Sequence, residues 1–132
     1  MKKLSTIVAM VLAAALSITS ALAVVYESNG EIVLPGGRIF AHNEVNNNKK
    51  DAYASTSGPA NEYLSVSGTF YYIVVSTGAT SSYYQSGSTS SLPSIRKDAP
   101  TLPTGSNYYK VKSVHTGTIS DDSGSITLTT IP

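Results

Sequence analysis

Hydrophobic and polar side chains alternate along residues 62–75. The even positions include Leu64, Val66 and Phe70, whereas the odd positions of the first half carry mainly Ser and Thr. Because successive side chains of a strand point to opposite faces, this pattern predicts a long strand with one apolar and one hydroxyl-bearing face. Gly68, in the middle of the segment, predicts a bulge or a bend.

Similar, shorter alternating segments follow one another along the chain, separated by turns rich in Gly, Pro, Asn and Asp. The further predicted strands span residues 31–34, 38–42, 51–57, 81–86, 89–95, 108–118 and 126–129. Polar loops are predicted at 43–50 and 96–107, and a tight turn at 121–124. This spacing predicts an all-β fold, an antiparallel β-sandwich of about seven strands, with a small β-barrel as the alternative.

The first 23 residues have a different pattern. Lys2 and Lys3 precede a stretch without charge that runs to residue 22, and Ala21 and Ala23 place small residues before a cut at Val24. This predicts a helical signal peptide over 1–23 and a single secreted β-domain over 24–132, with no membrane attachment after cleavage. The alternative is an uncleaved membrane anchor, but the apolar run is near the lower limit of a span and no basic cluster follows it.

Composition narrows the functional classes. The chain has no Cys, which excludes a disulfide scaffold, a cysteine nucleophile and a zinc ribbon. Nine Lys and Arg stand against eight Asp and Glu, a formal net charge of +1. Loss of Lys2 and Lys3 would leave seven against eight, or −1. Neither net charge provides the basic surface that binding to nucleic acid requires, so no nucleic-acid partner is expected.

Residues suited to catalysis or metal binding lack a recognisable spacing. The GxSxG motif does not occur, and the carboxylates fall mostly at predicted turns or strand ends. His42 and His115, the only two histidines, are expected to be solvated or to lie on a strand surface, and no metal site or cofactor is predicted. The turn at Asp121 and Asp122 bears only a faint similarity to a calcium loop. The sequence therefore predicts a protein that is not an enzyme.

Tyrosines form three adjacent pairs, 71–72, 83–84 and 108–109. Neighbouring residues of a strand face opposite ways, so each pair is expected to place one ring in the core and one outside. Tyr71, Tyr83 and Tyr108 are the predicted outward rings, which would form an amphipathic platform for a sugar or a protein partner. The plainer alternative is that the tyrosines form cross-strand pairs covering a sheet poor in large aliphatic residues.

These features lead to three functional hypotheses. The first is an exported, non-catalytic β-domain that binds an extracellular glycan, wall polymer or protein. The second follows from a similarity of class to the small exported bacteriocins of the lactococcin-972 type, which are also β-rich and cysteine-free behind a signal peptide, although this chain lacks the Trp common among them. The third is a self-associating matrix protein, because Ser/Thr/Tyr strands with an unprotected edge can add to one another.

Overall fold

Eight β-strands make up most of residues 25–132, the part of the chain that the computed structural model describes. The strands are β1 (Tyr26–Leu34), β2 (Gly37–Val45), β3 (Ala52–Ser57), β4 (Leu64–Val74), β5 (Thr80–Thr89), β6 (Ser94–Asp98), β7 (Ser106–Ile119) and β8 (Asp122–Thr130). This part of the chain contains no helix, and so no helix able to cross a membrane. The predicted signal peptide, with its cleavage positions Ala21, Ala23 and Val24, lies outside the described residues.

The strands form two four-stranded sheets. Sheet A has the order β1-β2-β3-β6, sheet B has the order β5-β4-β7-β8, and every neighbouring pair is antiparallel. The all-β, antiparallel prediction is confirmed, with eight strands where about seven were expected. The strands of residues 25–132 do not close into a single small barrel, so that alternative is wrong.

The inner faces of the two sheets share an apolar core. One cluster joins Ile32 and Ile39 of sheet A to Leu64 and Ile126 of sheet B. A second cluster contains Val45, Ala52, Ala54, Val66, Phe70, Tyr108 and Val111. Alternate residues of β1, β2 and β3, and of β4 as far as Phe70, face this core, which is why alternation in the sequence indicated strands.

Several predicted boundaries are wrong. The segment 89–95 is not one strand, because β5 continues to Thr89 and β6 begins at Ser94. As a result, the predicted loop 96–107 shrinks to 99–105. Separately, β2 extends to Val45, into the predicted loop 43–50.

Gly68 lies within the regular part of β4 rather than at a bulge or a bend. A Cβ atom at this position would lie 3.0 Å from the Phe70 ring and 3.6 Å from the Ala54 side chain. The absence of a side chain therefore makes room for the Phe70 ring in the core.

Candidate ligand-binding surface

The outer face of sheet B displays an array of short hydroxyl side chains. They come from alternate positions of all four strands: Ser65, Ser67, Thr69, Ser86, Ser88, Thr116, Thr127 and Thr129. Strand pairing brings these residues into rows, for example Ser86, Ser67 and Val114 side by side. The sequence predicted a hydroxyl-bearing face for β4, and pairing extends that face across the whole sheet.

One tyrosine from each of the three pairs lies on this same face. Tyr84 is 66% exposed, and the rings of Tyr71 and Tyr109 contact each other with centroids 6.2 Å apart. Tyr71 pairs with Ser82, two residues from Tyr84 on the same side of β5, so the rings of Tyr71 and Tyr84 are diagonal neighbours. We call this outer surface of sheet B the tyrosine face.

The expected position of Tyr108 is wrong because β7 contains a bulge. Tyr71 pairs with Lys110, whereas Tyr72 pairs with Tyr108, so Tyr109 is an extra residue in the ladder. In a regular strand Tyr108 would share the outer face with Lys110. The extra residue reverses the alternation, and Tyr108 lies fully buried in the core, where its hydroxyl donates a hydrogen bond to the Pro100 carbonyl.

The predicted outward position of Tyr83 is also wrong. It pairs with the core residue Phe70 and stacks on Tyr72, with ring centroids 5.1 Å apart and an interplanar angle of 22°. Both rings cover one end of the core, so Tyr83 belongs to the inner face and Tyr84 is the outward member of the pair. Of the three predicted platform residues, only Tyr71 occupies the tyrosine face.

The tyrosine face carries positive charge. Lys110 places its Nζ 4.7 Å from the centroid of the Tyr71 ring, and Lys112 is exposed on the next row beside Thr69. Among the described residues, the strand positions of this face hold no carboxylate. The outer face of sheet A has the opposite balance, with two arginines against four carboxylates: Arg38, Arg96, Glu27, Glu31, Glu44 and Asp98.

A shallow trough of about 290 Å³ lies on the tyrosine face, at the end of the strands away from Tyr71 and Tyr109. Its lining includes Ser65, Ser67, Ser86, Ser88 and Thr116, with the side chains of Tyr63 and Val114 as larger groups. Tyr63 is 43% exposed and Val114 40%. From Ser65 to Tyr71 the surface extends for about 20 Å along β4, at roughly 3.3 Å per residue.

A polar network in the core brings a serine hydroxyl and a histidine ring to the distance found in catalytic serine–histidine pairs. The distance is the only likeness to a catalytic site. His115 is fully buried between Ser113 and Thr56, with its Nε2 2.6 Å from the Ser113 hydroxyl and its Nδ1 2.8 Å from that of Thr56. The Ser113 hydroxyl donates to Asn43, 2.6 Å away. The expectation of a solvated His115 is wrong, because its strand position faces the other sheet.

Burial determines the charge of His115. Desolvation, with a smaller contribution from nearby His42, lowers the pKa of its imidazole to about 4. The ring is therefore neutral at pH 7. Because Ser113 is also buried, no substrate reaches this serine–histidine pair, and the network holds the two sheets together.

Sequence reasoning missed a group of three potential metal ligands on the outer face of sheet A. Glu27, His42 and Glu44 place one ligand atom each within 4.8 Å of the others. The signal was present in the β1–β2 hairpin: continuing its pairing outward from the turn after Leu34 places Glu27 opposite Glu44. The predicted first strand begins too late, at residue 31, and the predicted second strand ends too early, at residue 42, so neither reaches this pair.

Tyr53 borders this group. Its hydroxyl donates to Glu44 at 2.9 Å, and the Arg96 guanidinium lies 3.6 Å from the centroid of its ring. Burial, followed by the hydrogen bond to Glu44, raises the pKa of Tyr53 to about 12, so the hydroxyl remains a donor at neutral pH.

The turn predicted at 121–124 lies earlier than expected: Ser120 and Asp121 alone connect β7 to β8, and residues 122–124 belong to β8. Ser120 and Asp121 both have positive φ angles, 48° and 70°, as in a type I′ hairpin turn. In the described residues, neither Asp121 nor Asp122 belongs to a group of three potential metal ligands.

Comparisons with known proteins add no external guide to function. Neither protein-family models, nor curated proteins, nor solved structures gave a significant match to this chain. The function must therefore be inferred from the surfaces described above.

Proposed function

We propose that this protein is an exported, non-catalytic β-sandwich domain that binds an acidic extracellular glycan or wall polymer through the tyrosine face. The observation that carries the proposal is the convergence of Tyr71, Tyr84 and Tyr109 on one surface that also bears Lys110 and Lys112. The bulge at Tyr109 supports it, because bulges often serve to redirect a side chain.

The chemistry of the tyrosine face suits a carbohydrate polymer. Tyrosine rings offer flat apolar surface with a polar tip, which matches the mixed faces of a sugar ring. The serine and threonine hydroxyls can both donate and accept hydrogen bonds, as sugar hydroxyls do. Two lysines without a carboxylate favour a polymer that carries uronate or phosphate groups.

A non-catalytic role agrees with the location of the titratable groups. The one serine–histidine pair at hydrogen-bond distance in the described chain is enclosed in the core. The lysines of the tyrosine face have no carboxylate beside them with which to form an acid–base pair on that surface. Export rests on the predicted signal peptide at residues 1–23.

Pull-down on purified wall polymers and acidic polysaccharides tests the proposal. We expect Tyr84→Ala to weaken binding roughly tenfold, because exposed aromatic anchors dominate many interfaces. The matched control is Phe40→Ala, which removes a 50% exposed ring from the outer face of sheet A and should leave binding unchanged. Equal loss in the two variants, or no binding to any acidic polymer, would reject the proposal.

Self-association is a second candidate function, favoured by β5. This strand forms one edge of sheet B, and its ten residues contain no charge and no proline. Unprotected edges of this kind pair readily with another chain. Sedimentation velocity should then show concentration-dependent oligomers that Ser82→Lys, an exposed change on β5, abolishes. A monomer at all concentrations would exclude this function.

A further inference from the structure

The outer face of sheet A, opposite the tyrosine face, juxtaposes two carboxylates and an imidazole. Glu27 and Glu44 pair directly across β1 and β2, and His42 lies two residues before Glu44 on the same side of β2. All three side chains are half-buried, and their ligand atoms lie within 4.8 Å of one another. From this geometry we propose that Glu27, His42 and Glu44 form a binding site for a divalent transition-metal ion of the Zn²⁺ type.

The charge arrangement favours a bound cation. Like charges directly opposite each other on neighbouring strands are destabilising, yet Glu27 and Glu44 occupy such a pair. No lysine or arginine within residues 25–132 forms an ion pair with either carboxylate, since Arg38 pairs with Glu31 and Arg96 with Asp98. A divalent ion between the two carboxylates would remove their repulsion.

The imidazole of His42 is already oriented for coordination. Its Nδ1 lies 2.6 Å from the Asn29 side-chain oxygen, which can only accept a hydrogen bond. Nδ1 therefore carries the proton, and Nε2 is the atom that faces Glu44, at 3.4 Å from its Oε2. Ligands of a tetrahedral zinc ion with bonds of about 2.0–2.1 Å lie about 3.3 Å apart, close to this separation.

Neighbouring groups support the ligands in the way that metal sites commonly require. Asn29 holds the imidazole ring, and the Tyr53 hydroxyl donates to Glu44 at 2.9 Å. A groove of about 450 Å³ borders Glu44 and Tyr53, so water can approach the ligands from the Glu44 side and could complete the coordination. One nitrogen and two oxygen ligands suit Zn²⁺, whereas Ca²⁺ and Mg²⁺ prefer sites made of oxygen alone.

Titration calorimetry of tag-free protein with Zn²⁺ at pH 7 tests the site. We expect one ion per chain, with roughly tenfold or greater weakening in Glu27→Gln and in His42→Gln. Glu31→Gln is the matched control, because this carboxylate lies on the same face of β1 but pairs with Arg38. The affinity of this variant for Zn²⁺ should be unchanged. Equal weakening in Glu31→Gln, or no saturable binding, would overturn the proposal.

A measurement on the unaltered protein keeps the proposal testable if a variant fails to fold. In NMR spectra, Zn²⁺ should shift the ring signals of His42 while those of buried His115 stay in place. Mg²⁺ at the same concentration should leave both rings unchanged. Shifts of neither ring on addition of Zn²⁺ would contradict the site, as would an identical response to Mg²⁺.

Discussion

The ring of Tyr109 rests against that of Tyr71, with centroids 6.2 Å apart, although Tyr109 has no partner residue in the strand ladder. The contact exists because one extra residue in β7 turns Tyr109 outward and Tyr108 inward. The same irregularity therefore builds both the tyrosine face and one end of the core. Binding and stability should consequently respond to different members of this tyrosine pair.

Tyr108→Phe separates the two roles. Removing the hydroxyl leaves the half-buried Pro100 carbonyl without its donor and should reduce the free energy of unfolding by about 1 kcal/mol, measured by urea denaturation. Polymer binding should be unaffected, because Tyr108 is fully buried. Weaker binding by a folded Tyr108→Phe variant would show that Tyr108, rather than Tyr109, serves the ligand.

Lys112 provides the test of charge in polymer binding. We expect Lys112→Gln to weaken binding to an acidic polysaccharide several-fold at low salt, and the difference from the unaltered protein to shrink above about 0.5 M salt, where screening is strong. Arg38→Gln, on the outer face of sheet A, is the matched control. A loss that is independent of salt would exclude an electrostatic role for Lys112.

The lowered pKa of His115 predicts that the free energy of unfolding decreases in acid. The pKa of its imidazole is about 4 in the folded chain against an ordinary value of 6.5, so the unfolded chain takes up a proton first as the pH drops. The free energy of unfolding should therefore decrease between pH 6.5 and 4, by at most about 3 kcal/mol from this residue, and the contribution levels off below pH 4.

Urea denaturation at several pH values measures this decrease. Other groups titrate in the same range, so His115→Gln, which keeps a polar side chain but cannot take up the proton, serves as the comparison. The decrease between pH 6.5 and 4 should be smaller in this variant. Parallel curves for the two proteins would contradict the assignment to His115.

The backbone angles of the turn between β7 and β8 predict that two substitutions there will stabilise the folded protein. Ser120 and Asp121 adopt positive φ angles that Asn and Gly tolerate better in a type I′ turn. The double substitution Ser120→Asn, Asp121→Gly should raise the free energy of unfolding by about 0.5–1 kcal/mol and the melting temperature by a few degrees. Placing Gly at residue 120 and Pro at residue 121 should do the reverse, because Pro cannot adopt a positive φ.

Alternation in the sequence was sufficient to predict the strand at Leu64–Val74 and the antiparallel, all-β class, because each inward position of β4 is apolar or Gly. It could not predict the bulge, since Tyr108 and Tyr109 are identical residues and nothing local distinguishes the inward one. His115 was misjudged because its partners, Thr56 and Ser113, are ordinary polar residues until the two sheets meet.

The candidate sites depended even more on long-range pairing. Tyr84 and Tyr71 become neighbours only through the β4–β5 register, and Glu27 meets Glu44 only through that of β1 and β2. The three tyrosine pairs predicted that aromatic rings would lie on an outer face, but the register determined which rings those are.

NMR titration of isotope-labelled protein with a soluble acidic oligosaccharide tests the claim that the outer face of sheet B is the ligand-binding surface. Backbone shifts should cluster on β4, β5 and β7 around Tyr71, Tyr84 and Lys112, and residues near Phe40 should not move. Shifts confined to sheet A, or no shift with any acidic oligosaccharide, would contradict the claim.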